Sequence, residues 1–140
     1  MNLRLQFDTS EIDWDLVSEI LQETGMAYHP GKIHQIAFDN SFTVVFAFDG
    51  DKMIGFGRAI SDGAYQAAVY DVAVRPDYQG KGVGKTMMAS LIKNCPNCNF
   101  ILYAAPGKER FYEKLNFRKM KTGIALFTDI EKMKGRGFTE

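Results

Sequence analysis

Apolar and polar residues alternate from Leu3 to Phe7, and a period of two predicts a strand. Trp14, Val17, Ile20 and Leu21 then recur at helical spacing within Asp13 to Glu23, and Gly25 is a stop signal. Pro30 to Phe38 reads as a second, short helix. Phe42 to Phe48, then Asp49-Gly50-Asp51, then Lys52 to Ile60 reads as a β-hairpin with an Asp-Gly turn. Ser61-Asp62-Gly63 makes another turn, and Gln66 to Val74 extends the meander. Val83 to Lys93 carries Val83, Met87, Met88, Leu91 and Ile92 on one helical face. Phe100 to Ala104 reads as a buried strand, and Pro106 or Gly107 opens a helix reaching about Leu115. Phe117 to Lys119 and Ile124 to Phe127 read as final strands. This is an α+β order, with an antiparallel meander first and a parallel β-α-β unit after it.

Composition narrows the picture. The chain has 140 residues, the usual size of one domain, so a single domain over 1–140 is expected. Its apolar fraction of 46% can build a core without disulfides or metal. Lys+Arg and Asp+Glu balance at 17 each, so no global field draws nucleic acid or an anionic membrane. The N-terminus lacks the apolar core of a secretory signal, and no stretch approaches the roughly 20 apolar residues of a membrane span. A cytoplasmic protein is expected.

Cys95 and Cys98 form a C-x-x-C pair. A redox dithiol needs a depressed thiol pKa, usually at a helix N-terminus. This pair instead follows a helical segment, where the dipole disfavours a thiolate. A zinc site needs about four ligands, and His29 and His34 lie far upstream without ligand spacing. The pair reads as a turn, with no metal expected.

The strongest chemical signal runs from Val72 to Lys85. A strand ends at Val74, a turn containing Pro76 follows, and a glycine-rich stretch opens into an amphipathic helix. Helix N-termini present unpaired N–H groups and a partial positive charge. Glycines let that backbone approach an anion, and Lys81 and Lys85 add charge, so the segment reads as a pyrophosphate cradle. Two other phosphate motifs fail. Gly-Lys-Gly-Val-Gly-Lys-Thr at Gly80 to Thr86 is too short for a P-loop, and the dinucleotide fingerprint would need glycine where Met87 stands.

These residues resemble the GNAT superfamily of N-acetyltransferases. Its signature, Gln/Arg-x-x-Gly-x-Gly/Ala after an apolar-Ala-Val strand end and a Pro, matches Val72-Ala73-Val74, Pro76 and Gln79-Gly80-Lys81-Gly82-Val83-Gly84. A second element, Phe/Leu-Tyr-x-x-x-Gly-Phe, matches Phe111-Tyr112 to Phe117, with Asn116 in the glycine position. Asn tolerates the left-handed conformation of a helix C-cap. The resemblance implies a mixed, mostly antiparallel twisted sheet flanked by helices, its fourth and fifth strands splayed apart. Acetyl-CoA would sit in that gap, its pyrophosphate on Gly80 to Lys85 and its pantetheine arm along Val72, Ala73 and Val74. An amine acceptor, small or on a protein, is implied as the partner, and a homodimer is left open.

The resemblance also shows what is missing. Many relatives carry Asn or Asp seven residues before the motif tyrosine, where this chain has Ala105, and others carry a glutamate base near the position of Ala68. The chemistry needs three things. The amine must lose a proton from a pKa of about 10. The thioester oxygen needs donors, such as the N–H of Val72 or Val74. The leaving thiolate needs a proton or a hydrogen bond, and the motif assigns that to Tyr112. A phenol with pKa about 10 is a weaker acid than a thiol with pKa about 8.5, which favours hydrogen bonding over full proton donation.

Asp71 is the candidate base, expected on the strand face opposite Tyr70 and Val72; the alternative is a structural carboxylate. Tyr28, His29 and Tyr70 are candidates for lining the acceptor pocket. Two rival classes stand beside this one: a module that binds coenzyme A without turnover, and a phosphate- or nucleotide-binding protein.

Overall fold

The computed structural model describes all residues, Met1–Glu140. They form two compact units, Met1–Leu102 and Tyr103–Glu140.

The first unit holds a five-stranded sheet in sequence order: β1 (Leu3–Gln6), β2 (Thr43–Asp49), β3 (Lys52–Ser61), β4 (Gln66–Val74) and β5 (Asn99–Ile101). The pairs from β1 to β4 are antiparallel, and β4 pairs with β5 in parallel. This is the mixed α+β sheet anticipated from the element order. Pairing with β5 covers only Gln66, Ala68 and the residue between them, so the last six residues of β4 run on past the end of β5.

Both faces of the sheet are covered because its central strands are apolar on both sides. Helix α1 (Trp14–Glu23) starts where the Asp13 carboxylate accepts the Leu16 N–H, and it buries Val17, Ile20 and Leu21. Helix α2 (Gly31–Asp39) buries His34 and Phe38. The Phe38 ring packs 5.6 Å from Trp14, 5.3 Å from Phe46 and 5.9 Å from Phe56, which ties both helices to β2 and β3. Helix α3 (Val83–Lys93) buries Val83, Met87, Met88 and Leu91. Leu91 and Met87 reach Gly57 and Gly55 of β3, where a Cβ would lie 3.4 Å from each side chain. Ile92, expected on the same face, is exposed.

The second unit departs further from expectation. It contains helix α4 (Glu109–Glu113), shorter than anticipated, and helix α5 (Ile130–Gly135), which the pattern did not announce. Phe117 to Lys119 and Ile124 to Phe127 are not strands. Ile124 and Leu126 are 99% and 93% exposed. The aromatic residues here pack locally instead: Tyr103 meets Phe127 at 5.5 Å and Phe138 at 5.8 Å, both edge-on. The strand expected over Phe100 to Ala104 shrinks to Asn99–Ile101, and Ile101 is half exposed. Its apolar run marked an edge of the sheet and not a buried centre.

Candidate active site

The chain leaves β4 through a single 3-10 turn, Pro76–Tyr78, with the proline at its first position. Gln79 follows, and its side-chain amide donates to the Val74 carbonyl at 2.8 Å, closing the turn onto the strand end. Gly80 and Gly82 both adopt left-handed conformations, at φ 78° and 83°. Gly82 is the N-cap of α3 and supplies no side-chain cap. The first helical bond is the Thr86 N–H to the Gly82 carbonyl, 3.0 Å. The N–H groups of Gly82, Val83, Gly84 and Lys85 therefore have no partner within the helix. A Cβ placed at Gly80 or Gly82 would meet nothing within 4 Å. The backbone at both glycines is therefore open to close approach, and the exposed Lys81 and Lys85 add positive charge beside it. Such a cradle fits the pyrophosphate of a coenzyme A ester. The Val83 side chain lies in the core, so only its backbone is available there.

Tyr78 anchors the turn to the opposite hairpin. Its hydroxyl donates to Asp49 at 2.8 Å, and the ammonium groups of Lys52 and Lys81 each lie 5.4 Å from its ring centroid. The Asp49 carboxylate also accepts the Asn2 N–H, and these two bonds hold its pKa below the usual range.

The centre of β4 carries the largest surprise. Phe56 pairs with Ala73 and Arg58 with Tyr70, so β3 places Gly57 opposite two residues, Asp71 and Val72. This is a β-bulge, and Asp71 occupies its left-handed position at φ 56°. The extra residue breaks the alternation assumed from sequence. Asp71 does not face away from Tyr70. The Arg58 guanidinium carbon lies 5.3 Å from the Tyr70 ring centroid, while Arg58 Nε donates to Asp71 Oδ2 at 2.7 Å. One side chain engages both residues. Val72 turns to the α3 face, where a Cβ on Gly57 would approach its Cγ2 to 3.1 Å. Ala73 packs into the core with Phe56 on the other face.

Around this ion pair stand groups that the sequence did not assign to the site. Arg58 also reaches Ser41 Oγ at 3.4 Å and the Phe38 ring at 5.8 Å. His34 is buried on α2, 3% exposed, and its Nε2 accepts the His29 N–H at 2.9 Å. Burial lowers the His34 pKa; the field of Asp71 opposes that shift, and those of His29 and Arg58 reinforce it. Two signals were available. Arg58 is the one charge inside the apolar strand Met53 to Ile60, and His34 falls on the Gly31–Phe38 face of α2. Of the acceptor-side candidates, Tyr28 and His29 are exposed, and Ser18 Oγ donates to the His29 carbonyl.

Residues 8–117 match the profile of the acetyltransferase (GNAT) family. The chain belongs to the GNAT family. An uncharacterized N-acetyltransferase of Gracilaria tenuistipitata var. liui is 36% identical over 131 residues, covering 89% of this chain and 71% of its own. The chloroplastic GCN5-related N-acetyltransferase 1 of Arabidopsis thaliana is 35% identical over 86 residues, 59% of this chain and 44% of its own. The structure of a GNAT-family acetyltransferase from Streptococcus pneumoniae superposes with a TM-score of 0.73 at 20% identity, over 91% of this chain and 99% of that one, a likeness of fold. This GNAT chain is thus an acyltransferase.

Within the second unit, Tyr112 of the GNAT chain lies on α4, edge-on to Phe111 at 4.9 Å and to Phe117 at 5.9 Å. Burial alone pushes its phenol up to about 12. Asn116 takes the left-handed conformation, φ 71°, that the motif reserves for glycine, and the Phe117 N–H closes back on the Tyr112 carbonyl at 3.1 Å. No group of His, Cys, Asp and Glu side chains is arranged to hold a metal ion.

Proposed function

We propose that this chain transfers the acetyl group of acetyl-CoA directly to a primary amine within a ternary complex. One observation carries the reading: the uncapped N-terminus of α3, opened by left-handed Gly80 and Gly82 into unobstructed space. In this reading Gly80, Lys81, Gly82, Val83, Gly84 and Lys85 bind the pyrophosphate through backbone N–H groups and two ammonium groups. Val72, Ala73 and Val74 align the pantetheine arm, and a backbone N–H at the bulge meets the thioester oxygen as it gains charge.

Tyr112, by its place in the motif, steadies the leaving thiolate. A phenol held at about 12 stays protonated, so it acts as a hydrogen-bond donor and does not surrender its proton. The amine nitrogen attacks the thioester carbon, the carbon–sulfur bond breaks, and the proton shed by the amine balances the departing thiolate. Asp71 is the side-chain candidate for receiving that proton. The acceptor would approach Tyr70, Tyr28 and His29.

A cytoplasmic location belongs to the same proposal. No helix is long and apolar enough to cross a membrane, and a plant relative is chloroplastic, so an organelle interior is the other address.

Calorimetric titration with acetyl-CoA and with ATP, followed by an amine panel scored by thiol release, tests the reading. Acetyl-CoA should bind, ATP should not compete, and at least one amine should release coenzyme A. Binding without turnover on any amine would leave only a coenzyme A-binding module.

A further inference from the structure

We infer that Arg58 is a positioning residue whose ion pair with Asp71 holds the β4 bulge in the conformation that presents backbone donors to the thioester. The inference rests on the acetyl-transfer reading for its purpose, but its structural half stands on the strand itself.

The geometry begins with register. Arg58 sits directly across from Tyr70, yet its Nε reaches one residue further, to Asp71 Oδ2 at 2.7 Å. Asp71 is the extra residue, at φ 56°, a position that bulges of this kind normally give to glycine. An L side chain rests there only when its surroundings hold it. The guanidinium is itself fixed, between the Tyr70 ring at 5.3 Å, the Phe38 ring at 5.8 Å and Ser41 Oγ at 3.4 Å. A rigid, planar donor therefore grips the one strained residue in the sheet.

Two features tie that grip to the reaction. Gly57 alone stands opposite both Asp71 and Val72, so the bulge disrupts the ladder there and re-aims the backbone polar groups. On the other side, β5 pairs only with the first three residues of β4 and does not extend to Asp71 and Val72. A carbonyl oxygen gaining charge at this point would meet backbone donors on the side of β4 that β5 leaves open. Their direction depends on the dihedral angles of Asp71, and Arg58 is what restrains those angles from the helix side. Buried Ala73 and Phe56 keep the overall register, so loss of Arg58 loosens the bulge without unpairing the strands.

Glycine supplies the test, because it adopts φ 56° without restraint. The variants are Arg58→Met, Arg58→Lys, Asp71→Gly and the double Arg58→Met/Asp71→Gly, each checked for a cooperative melt. Arg58→Met should lower kcat about 10–100-fold, the cost of misplacing catalytic donors. Arg58→Lys, which can still pair with Asp71, should lose less. Because Asp71 is also the proposed proton acceptor, Asp71→Gly and the double variant are read by their amide shifts and not by their rates. Amide shifts of Val72 and Ala73 in nuclear magnetic resonance spectra should move in Arg58→Met and return in the double variant. If Arg58→Met turns over at the parent rate, or if its Val72 and Ala73 amides do not move, or move and do not return in the double variant, Arg58 does not hold the bulge and the inference fails. If no amine releases coenzyme A from the parent protein, the acetyl-transfer reading fails, while the amide shifts still decide whether Arg58 holds the bulge.

Discussion

His34 accepts the backbone N–H of His29 at Nε2, 2.9 Å away, from a position buried in α2. Only the neutral ring can do so, because an imidazolium has no acceptor. Burial holds the folded-state pKa below the ordinary 6.5. Above about 6.5 the ring is neutral in both folded and unfolded chains, and stability is full. As the pH falls below that, the unfolded chain takes up the proton first, and stability is lost down to the folded pKa. Urea unfolding should therefore show a lower midpoint at pH 5.5 than at 7.5. His34→Gln, which keeps an acceptor, should flatten that slope. Asp49 and Asp62, with pKa values held below 3.8, titrate outside this window. Equal slopes in the two proteins would refute the assignment.

Gly82→Asn separates cradle from fold. Asn tolerates the left-handed N-cap conformation, and its Cβ meets no protein atom within 4 Å. The variant should melt within a few degrees of the parent. Acetyl-CoA affinity should fall about tenfold or more, the loss of one charge-assisted hydrogen bond. Gly50→Asn, at the hairpin turn with φ 59° and equally open, is the control and should bind normally. Equal affinity for all three proteins by calorimetry would remove the pyrophosphate from this loop.

Tyr112→Phe keeps the ring contacts with Phe111 and Phe117 and deletes only the hydroxyl. If the hydroxyl steadies the thiolate, kcat should fall by roughly 10²-fold, the low end of acid–base contributions, with acetyl-CoA affinity little changed. Because burial holds the phenol at about 12, it stays protonated throughout any workable assay. The pH–rate profile of the variant should therefore be lower but identical in shape. A wild-type kcat where chemistry limits turnover would leave Tyr112 a packing residue.

Cys95 is buried, and burial raises its thiol pKa, whereas Cys98 is partly exposed with its sulfur 3.7 Å from Ser61 Oγ. Alkylation followed by mass spectrometry should label Cys98 first and Cys95 only on unfolding. Cys95→Ala with Cys98→Ser should retain most activity, since direct transfer needs no acetyl-cysteine. An acetylated cysteine recovered during turnover would contradict this.

Periodicity along the chain was enough to read the helices α1 and α3, the hairpin Thr43–Ser61, the strand Gln66–Val74 and the glycine-rich turn. Each is set by neighbours within a few residues: an alternating face, an Asp cap, a glycine that alone accepts a left-handed turn. The bulge was not readable that way. Gln66 to Val74 reads as an ordinary apolar strand, and only its pairing with β3 shows Gly57 opposite two residues. That pairing moved Asp71 to the same side chain as Tyr70 and recruited Arg58, thirteen residues earlier in the chain. His34 likewise gained its meaning when α2 folded over the sheet and took it out of water. The final strands failed for the converse reason. Ile124 to Phe127 has strand chemistry, but a strand exists only with a partner, and Phe127 packs on Tyr103 and Phe138 instead. Local residues decided where the chain turns and which face is greasy, while contacts between distant segments decided which polar groups stand together at the candidate site.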